Sequence, residues 1–300
     1  MFGKKKKEQA SILESILGKK GHPAFIAAVK SYFEQRHESY TVEEDVIRLQ
    51  DDSRFGLVNL AQICARAKPD EYHLVIKEHF DTMFQNRAFR ESLAFDDFES
   101  IEKYLAVRVY DSEYLSAIDV EAVIRRPLAG EVFTVLVFDF PHVIENIKRE
   151  DADKWGKSED ELFEIGKKNV RDNNQFETAE VNFDEDTLLA VETDHFFAPN
   201  ILLELEQRPE LLGKGGTIVA IPTRSLALIY PIRDMKVVAA LTMFFNSVPR
   251  IFAAGPGSLT QEVFWYRNGQ FESLNYTPGK KTSFTPSEEF LALINGGLEE

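Results

Sequence analysis

Between residues 158 and 276 one pattern occurs three times, and it limits the folds open to this chain more than any other feature. A helix-like segment opening at Ser158 is followed by the strand-like "FETAEVNF" and "TLLAVET". One opening at Pro199 is followed by "TIVAIP" and "LALIYPI", and one at Asp234 by "EVFWYR" and "FESLNY". The starts lie roughly 35 to 41 residues apart, the spacing of a supersecondary repeat rather than of a whole domain. Each pair of strands has its own turn chemistry, at Asp184 to Asp186, Thr223 to Ser225 and Asn268-Gly269; Asn-Gly is a strong type I′ hairpin signal. Hairpins joined by single helices predict a mainly antiparallel sheet with helices packed on it, an α+β plan.

The N-terminal part reads differently. A basic run, Lys4 to Lys7, precedes Ile12, Leu13, Ile16 and Leu17 at helical spacing, so residues 1–20 form a basic amphipathic tail. Gly21 to Pro23 marks a break. After it Phe25, Ala28, Val29, Tyr32 and Phe33 make one apolar stripe, which predicts a helix over 24–36. A hairpin with its turn at Asp51 to Ser53, a short helix around Cys64 and a helix carrying Tyr72, Val75, Ile76, His79, Phe80 and Met83 complete a helix-hairpin-helix-helix domain over 21–100. Strand-like Tyr104 to Tyr110 and the Val/Phe-rich "EVFTVLVFDF" then open the α+β domain, 101–300.

The stretch "WGKSEDELFEIGKKNV", Trp155 to Val170, is a doubly specified helix start. Ser158 with Glu161 three residues on has the spacing of a capping box, and acidic residues in the first turn complement the helix dipole. Leu162, Phe163, Gly166 and Val170 share a face, and a glycine inside a helix predicts a backbone passing close by. Asn169 lies towards the same side. Its amide either meets buried backbone and fixes the helix or contacts a ligand. Trp155, Ser158, Glu161, Gly166 and Asn169 are therefore read as an organising joint.

That stretch, with "HFFAPNILLEL", "IVAIPTRSLALIYPI" and "VIRLQDDSRFGLVNL", resembles landmarks of the YtpQ-like family, bacterial cytoplasmic proteins with no assigned activity. The likeness spans most of the chain after residue 25. Many members carry an acidic residue after the arginine of the hairpin turn, where this chain has Ser225 after Arg224. The resemblance implies fold and a cytoplasmic location and supplies no cofactor or catalytic residue.

Composition removes several chemistries. A net charge of -15, with no interleaved stripe of basic and aromatic residues, opposes nucleic-acid binding. One cysteine, Cys64, excludes an internal disulfide and suits a reducing compartment. No apolar run approaches the ~18 residues of a membrane span, and the start has no signal-peptide core. Phe2 excludes myristoylation, so membrane contact would rest on residues 4–20. Neither "LGKGGT" nor "TPGKKTS" frames a P-loop, and "GPGS" is not a nucleophile elbow. His73 and His79 stand six apart on their helix, the wrong spacing for a zinc pair, and no metal or cofactor is expected.

Three features remain. Asp194-His195 places a carboxylate beside an imidazole at the end of a strand, an arrangement that can serve proton transfer. Arg224, at a hairpin tip, offers a fork for a carboxylate or phosphate. Trp265 and Tyr266 on a late strand offer an aromatic anchor for a partner. The leading expectation is a cytoplasmic protein-interaction module without catalytic activity. The alternatives are a hydrolase acting on a small anionic substrate through Asp194, His195 and Arg224, and a peripheral membrane protein.

Overall fold

The computed structural model describes residues 11–43, 45–50, 53–116, 118–183, 186–254, 257–277 and 283–296. The basic run Lys4 to Lys7, the turn residues Asp51, Asp52, Asp184 and Glu185, and parts of the loops at 255–256 and 278–282 lie outside them. The chain divides into two units, Met1–Ser92 and Leu93–Glu300. The division precedes residue 100 for a physical reason: Trp155 donates its indole N–H to the Phe95 carbonyl (2.8 Å), and the Phe95 ring meets Phe138 at 5.5 Å. Residues 93–100 are thereby tied to the second unit.

In the first unit, α1 (Ile12–Gln35) begins earlier than the sequence pattern suggests. Its break falls at Gly18 (φ 70°), not at Gly21 to Pro23. Pro23 lies inside the segment after that kink, five residues past Gly18. The apolar side of the expected tail is used at home: Leu13 is fully buried, and Ile16 and Leu17 pack on the same core, leaving Ile12 exposed. Three short strands follow, β1 (Tyr40–Glu43), β2 (Val46–Leu49) and β3 (Arg54–Gly56), paired in that order. The expected single hairpin is thus a three-stranded meander. Helices α2 (Val58–Cys64) and α3 (Tyr72–Glu91) complete the unit. Phe25, Val29 and Phe33 of α1 meet Leu60 and Cys64 of α2, Ile76 and Phe80 of α3, and Ile47 of β2 in one buried cluster. Burial pushes the Cys64 thiol up to about 11, so it is inert packing.

The second unit opens with a short helical turn, α4 (Phe98–Ile101), and a four-stranded antiparallel sheet. Its members are β4 (Leu105–Asp111), then α5 (Ser112–Ser116), β5 (Arg125–Ala129), β6 (Val132–Phe140) and β7 (Val143–Asn146). The nine-residue β6 is long enough to pair β5 with its first half and β7 with its second, while β4 takes its other edge. A turn of helix, α6 (Arg149–Ala152), leads to α7 (Glu159–Asn173), which packs on β4.

The three sequence hairpins are β8 (Ala179–Phe183) with β9 (Asp186–Glu192), β10 (Thr217–Thr223) with β11 (Leu226–Pro231), and β12 (Val263–Arg267) with β13 (Gln270–Ser273). All six strands lie in one antiparallel sheet, in the order β13-β12-β10-β11-β9-β8. The helices are not repeated so regularly. The segment opening at Pro199 is three 3-10 turns, Ala198–Leu203, Leu205–Gln207 and Pro209–Leu211, rather than an α-helix. Pro209 sets the last break: Arg208 before it is driven out of the helical region (φ -125°, ψ 76°), which separates Pro209–Leu211 from the two turns before it.

The third helix, α8 (Val237–Ala254), is regular and lies on the sheet. By length and composition alone α8 is apolar enough to cross a membrane, although Thr242, Asn246 and Arg250 interrupt its apolar run. Its stripe Val237, Ala240, Leu241, Phe244, Phe245 and Val248 instead covers Ile218, Leu228 and Trp265. The opposite face of the sheet, with Val219, Ile229 and Phe264, is covered by the 3-10 segment and by Val109 and Val132 of the first sheet. Strands β10 and β11 are therefore buried on both sides, which is why they are apolar without alternation. A small pair, β14 (Tyr276–Thr277) and β15 (Ser283–Phe284), and α9 (Glu288–Gly296) follow.

Candidate functional site

Pleating places Arg108 and Tyr110 of β4 on one face of the strand, and the bulged turn between β10 and β11 brings Arg224 to the same ring. The Arg108 and Arg224 guanidinium carbons lie 5.1 Å and 5.7 Å from the Tyr110 ring centre. Tyr114 stacks on Tyr110 (3.8 Å between centres) and takes a hydrogen bond from the Asn146 amide at 3.0 Å, so the ring is held in place. Phe196, itself 50% exposed, lies 5.5 Å from the Arg108 guanidinium. The Arg224 amide donates to the Gly257 carbonyl (2.8 Å), which anchors the turn.

Arg108 is only 7% exposed. Its Nε and that of Arg224 are buried without a hydrogen-bond partner, and among the described residues neither guanidinium forms an ion pair. Burial lowers the Arg108 pKa, with the charge of Arg224 pushing the same way and Tyr110 opposing it. Burial raises the Tyr110 phenol to about 12, against the pull of Arg108. Asp139 of β6 lies within Arg108's electrostatic reach, yet burial outweighs that attraction and raises its pKa. The cluster holds two cations that aromatic faces offset only in part.

Asp194 and His195 follow β9 in the loop before the 3-10 turns. The His195 Nδ1 accepts the Phe197 amide (3.3 Å), and the ring lies against Phe176 and Phe197. Burial lowers its pKa, while the Asp194 charge opposes this. Among the described residues no hydrogen bond joins the side chains of Asp194, His195 and Arg224, although the Thr193 amide donates to the Ser225 carbonyl (3.0 Å) and brings the loop beside the turn. Trp265 and Tyr266 are 2% and 5% exposed, so neither makes an outward anchor. They fall in the cores on opposite faces of β12, with the indole N–H donated to Gly215 O (2.8 Å) and the phenol to Glu206 (3.2 Å).

At the joint, Ser158 Oγ accepts the Glu161 amide (3.2 Å) while the Glu161 carboxylate accepts the Ser158 amide (2.8 Å). A Cβ on Gly166 would stand 3.0 Å from the Ala106 carbonyl carbon. Asn169 donates to the carbonyls of Glu102 (2.7 Å) and Leu105 (2.9 Å), which ties α7 to the start of β4. These partners are backbone atoms, consistent with a packing role for Trp155, Ser158, Glu161, Gly166 and Asn169. No group of three or more His, Cys, Asp or Glu among the described residues is placed to hold a metal.

Two features escaped the sequence reading. Arg108 is the one, and its signal was a charged residue inside the otherwise apolar "LAVRVY". The other is the edge of the large sheet. β13 abuts β5, whereas β8 pairs with β9 alone among the described residues, and Ala179 to Asn182 are exposed. Val181, 43% exposed, is paired with Leu188 and so continues the α8-side face past the last covered strand. Comparison with family models, with curated proteins and with solved structures returned no match.

Proposed function

We propose that the chain is a cytoplasmic protein-interaction module whose partner adds an extended segment to β8. The open edge of β8 carries this reading: it presents unpaired main-chain groups and an apolar side chain, Val181, at the end of a six-stranded sheet. Charge selects the occupant. Glu180 is exposed on β8 in a chain of net charge -15, so two copies repel and a segment with basic side chains is favoured. The partner strand sets an apolar side chain beside Val181 and a Lys or Arg opposite Glu180. The resemblance to the YtpQ-like family belongs to the same proposal and adds no activity to it.

A hydrolase built on Asp194, His195 and Arg224 is less well supported, because among the described residues no hydrogen bond joins the three side chains and the His195 Nδ1 already accepts the Phe197 amide. A photo-crosslinking residue at Val181, with the same probe at exposed Val238 as control, tests the proposal in cells. The expected adduct is specific to position 181, maps to an extended basic segment of another protein and disappears in Glu180→Lys. An adduct at twice the chain mass, equal labelling from position 238, or survival in Glu180→Lys would overturn it.

A further inference from the structure

We propose that Arg108 and Arg224 bind a small oxyanionic group, carboxylate or phosphate, beside the Tyr110 ring. The inference rests on residues other than those of the β8 edge and does not depend on that reading. Arg108 is more than nine-tenths buried, and a charge so placed is normally matched by a carboxylate. Here two guanidiniums share one aromatic ring, and Asp139, in Arg108's electrostatic reach, is not ion-paired to it. One further negative charge would balance the set. Both Nε atoms lack a hydrogen-bond partner, so donors for an oxyanion are already desolvated and held.

The cluster is also reachable. Arg224 is partly exposed at its turn, and half-exposed Phe196 is the aromatic cover next to Arg108. Arginine suits this task because its planar fork meets two oxygens at once, and the stack against Tyr110 restricts the fork's orientation before the ligand arrives. The stacking of Tyr114 and its bond to Asn146 hold that platform.

Calorimetric titration of the full chain with acetate and, separately, inorganic phosphate tests the assignment, with chloride at equal ionic strength as the background. Saturable binding of at least one anion, one per chain, is expected, and the two arms identify which oxyanion the site takes. Affinity should fall at least tenfold in Arg224→Gln and in Arg108→Gln and stay unchanged in Arg250→Gln, at an exposed position of α8. Arg224→Glu should abolish binding while melting no lower than Arg224→Gln, because the new carboxylate occupies the place of the ligand beside Arg108. Absence of saturable binding by either anion would overturn the proposal, as would affinity retained in Arg224→Gln, a partly exposed turn position whose fold is checked by circular dichroism.

Discussion

Gly166 sets two effects against each other at a single atom. Alanine is better than glycine inside a helix by about 1 kcal/mol. Its Cβ, however, would meet the Ala106 carbonyl carbon and Val107 Cγ2 at 3.0 Å. Relief by sliding α7 is blocked, since Asn169, three residues on, fastens that helix to the Glu102 and Leu105 carbonyls. Overpacking of about 1–3 kcal/mol should therefore win, and Gly166→Ala should lower the urea midpoint. A raised midpoint would show that the close approach is softer than described. His79 supplies a second residue-scale prediction. Burial holds its pKa below the ordinary 6.5, so the unfolded chain takes up a proton more readily than the folded one. Its contribution is intact above pH 6.5 and is lost as pH falls through 6.5 towards the folded value, a window in which ordinary carboxylates remain ionised. In His79→Gln the drop in urea midpoint between pH 7.5 and 5.5 should shrink; an undiminished drop would mean that His79 is not the group responsible.

Elements were legible where a local signal and the tertiary demand agree. The α7 start carries its cap in Ser158 and Glu161, and β10 and β11 announce double burial by their unbroken apolar residues. The hairpins were legible through their turns. At Asn268-Gly269 both φ values are positive, 51° and 78°, as a type I′ turn requires. Gly269→Ala forces a β-carbon into that conformation and should cost about 1–2 kcal/mol, read as a lower midpoint of tryptophan fluorescence, since Trp265 sits on β12. No change would mean that the turn relaxes to another type. The 3-10 run has the apolar spacing of a helix, and only the break at Arg208 before Pro209 carries a sequence signal. Arg108 was missed for a different reason: pairing β4 with β6 and folding Arg224 onto Tyr110 are long-range events, and neither leaves a local pattern.

At the scale of the whole molecule, each unit closes its core with its own residues. The cluster around Phe25, Phe33 and Phe80 draws only on the first unit, and those around Phe244, Phe264 and Val135 only on the second. The chain's two tryptophans, Trp155 and Trp265, both belong to Leu93–Glu300, so fluorescence reports that unit while far-UV circular dichroism reports both. Phe33 is fully buried among Tyr32, Tyr40, Phe80 and Phe84, and its removal should destabilise the first unit by about 3–5 kcal/mol. In Phe33→Ala the helical signal should acquire an early transition, from α1 to α3, while the tryptophan transition stays where it is in the parent chain. A loss of this size is a large part of the stability of a domain of ~90 residues, so with separate cores the first unit melts alone. If the tryptophan transition moves down together with the helical one, the two cores unfold as one cooperative body and the division at Ser92 has no energetic meaning.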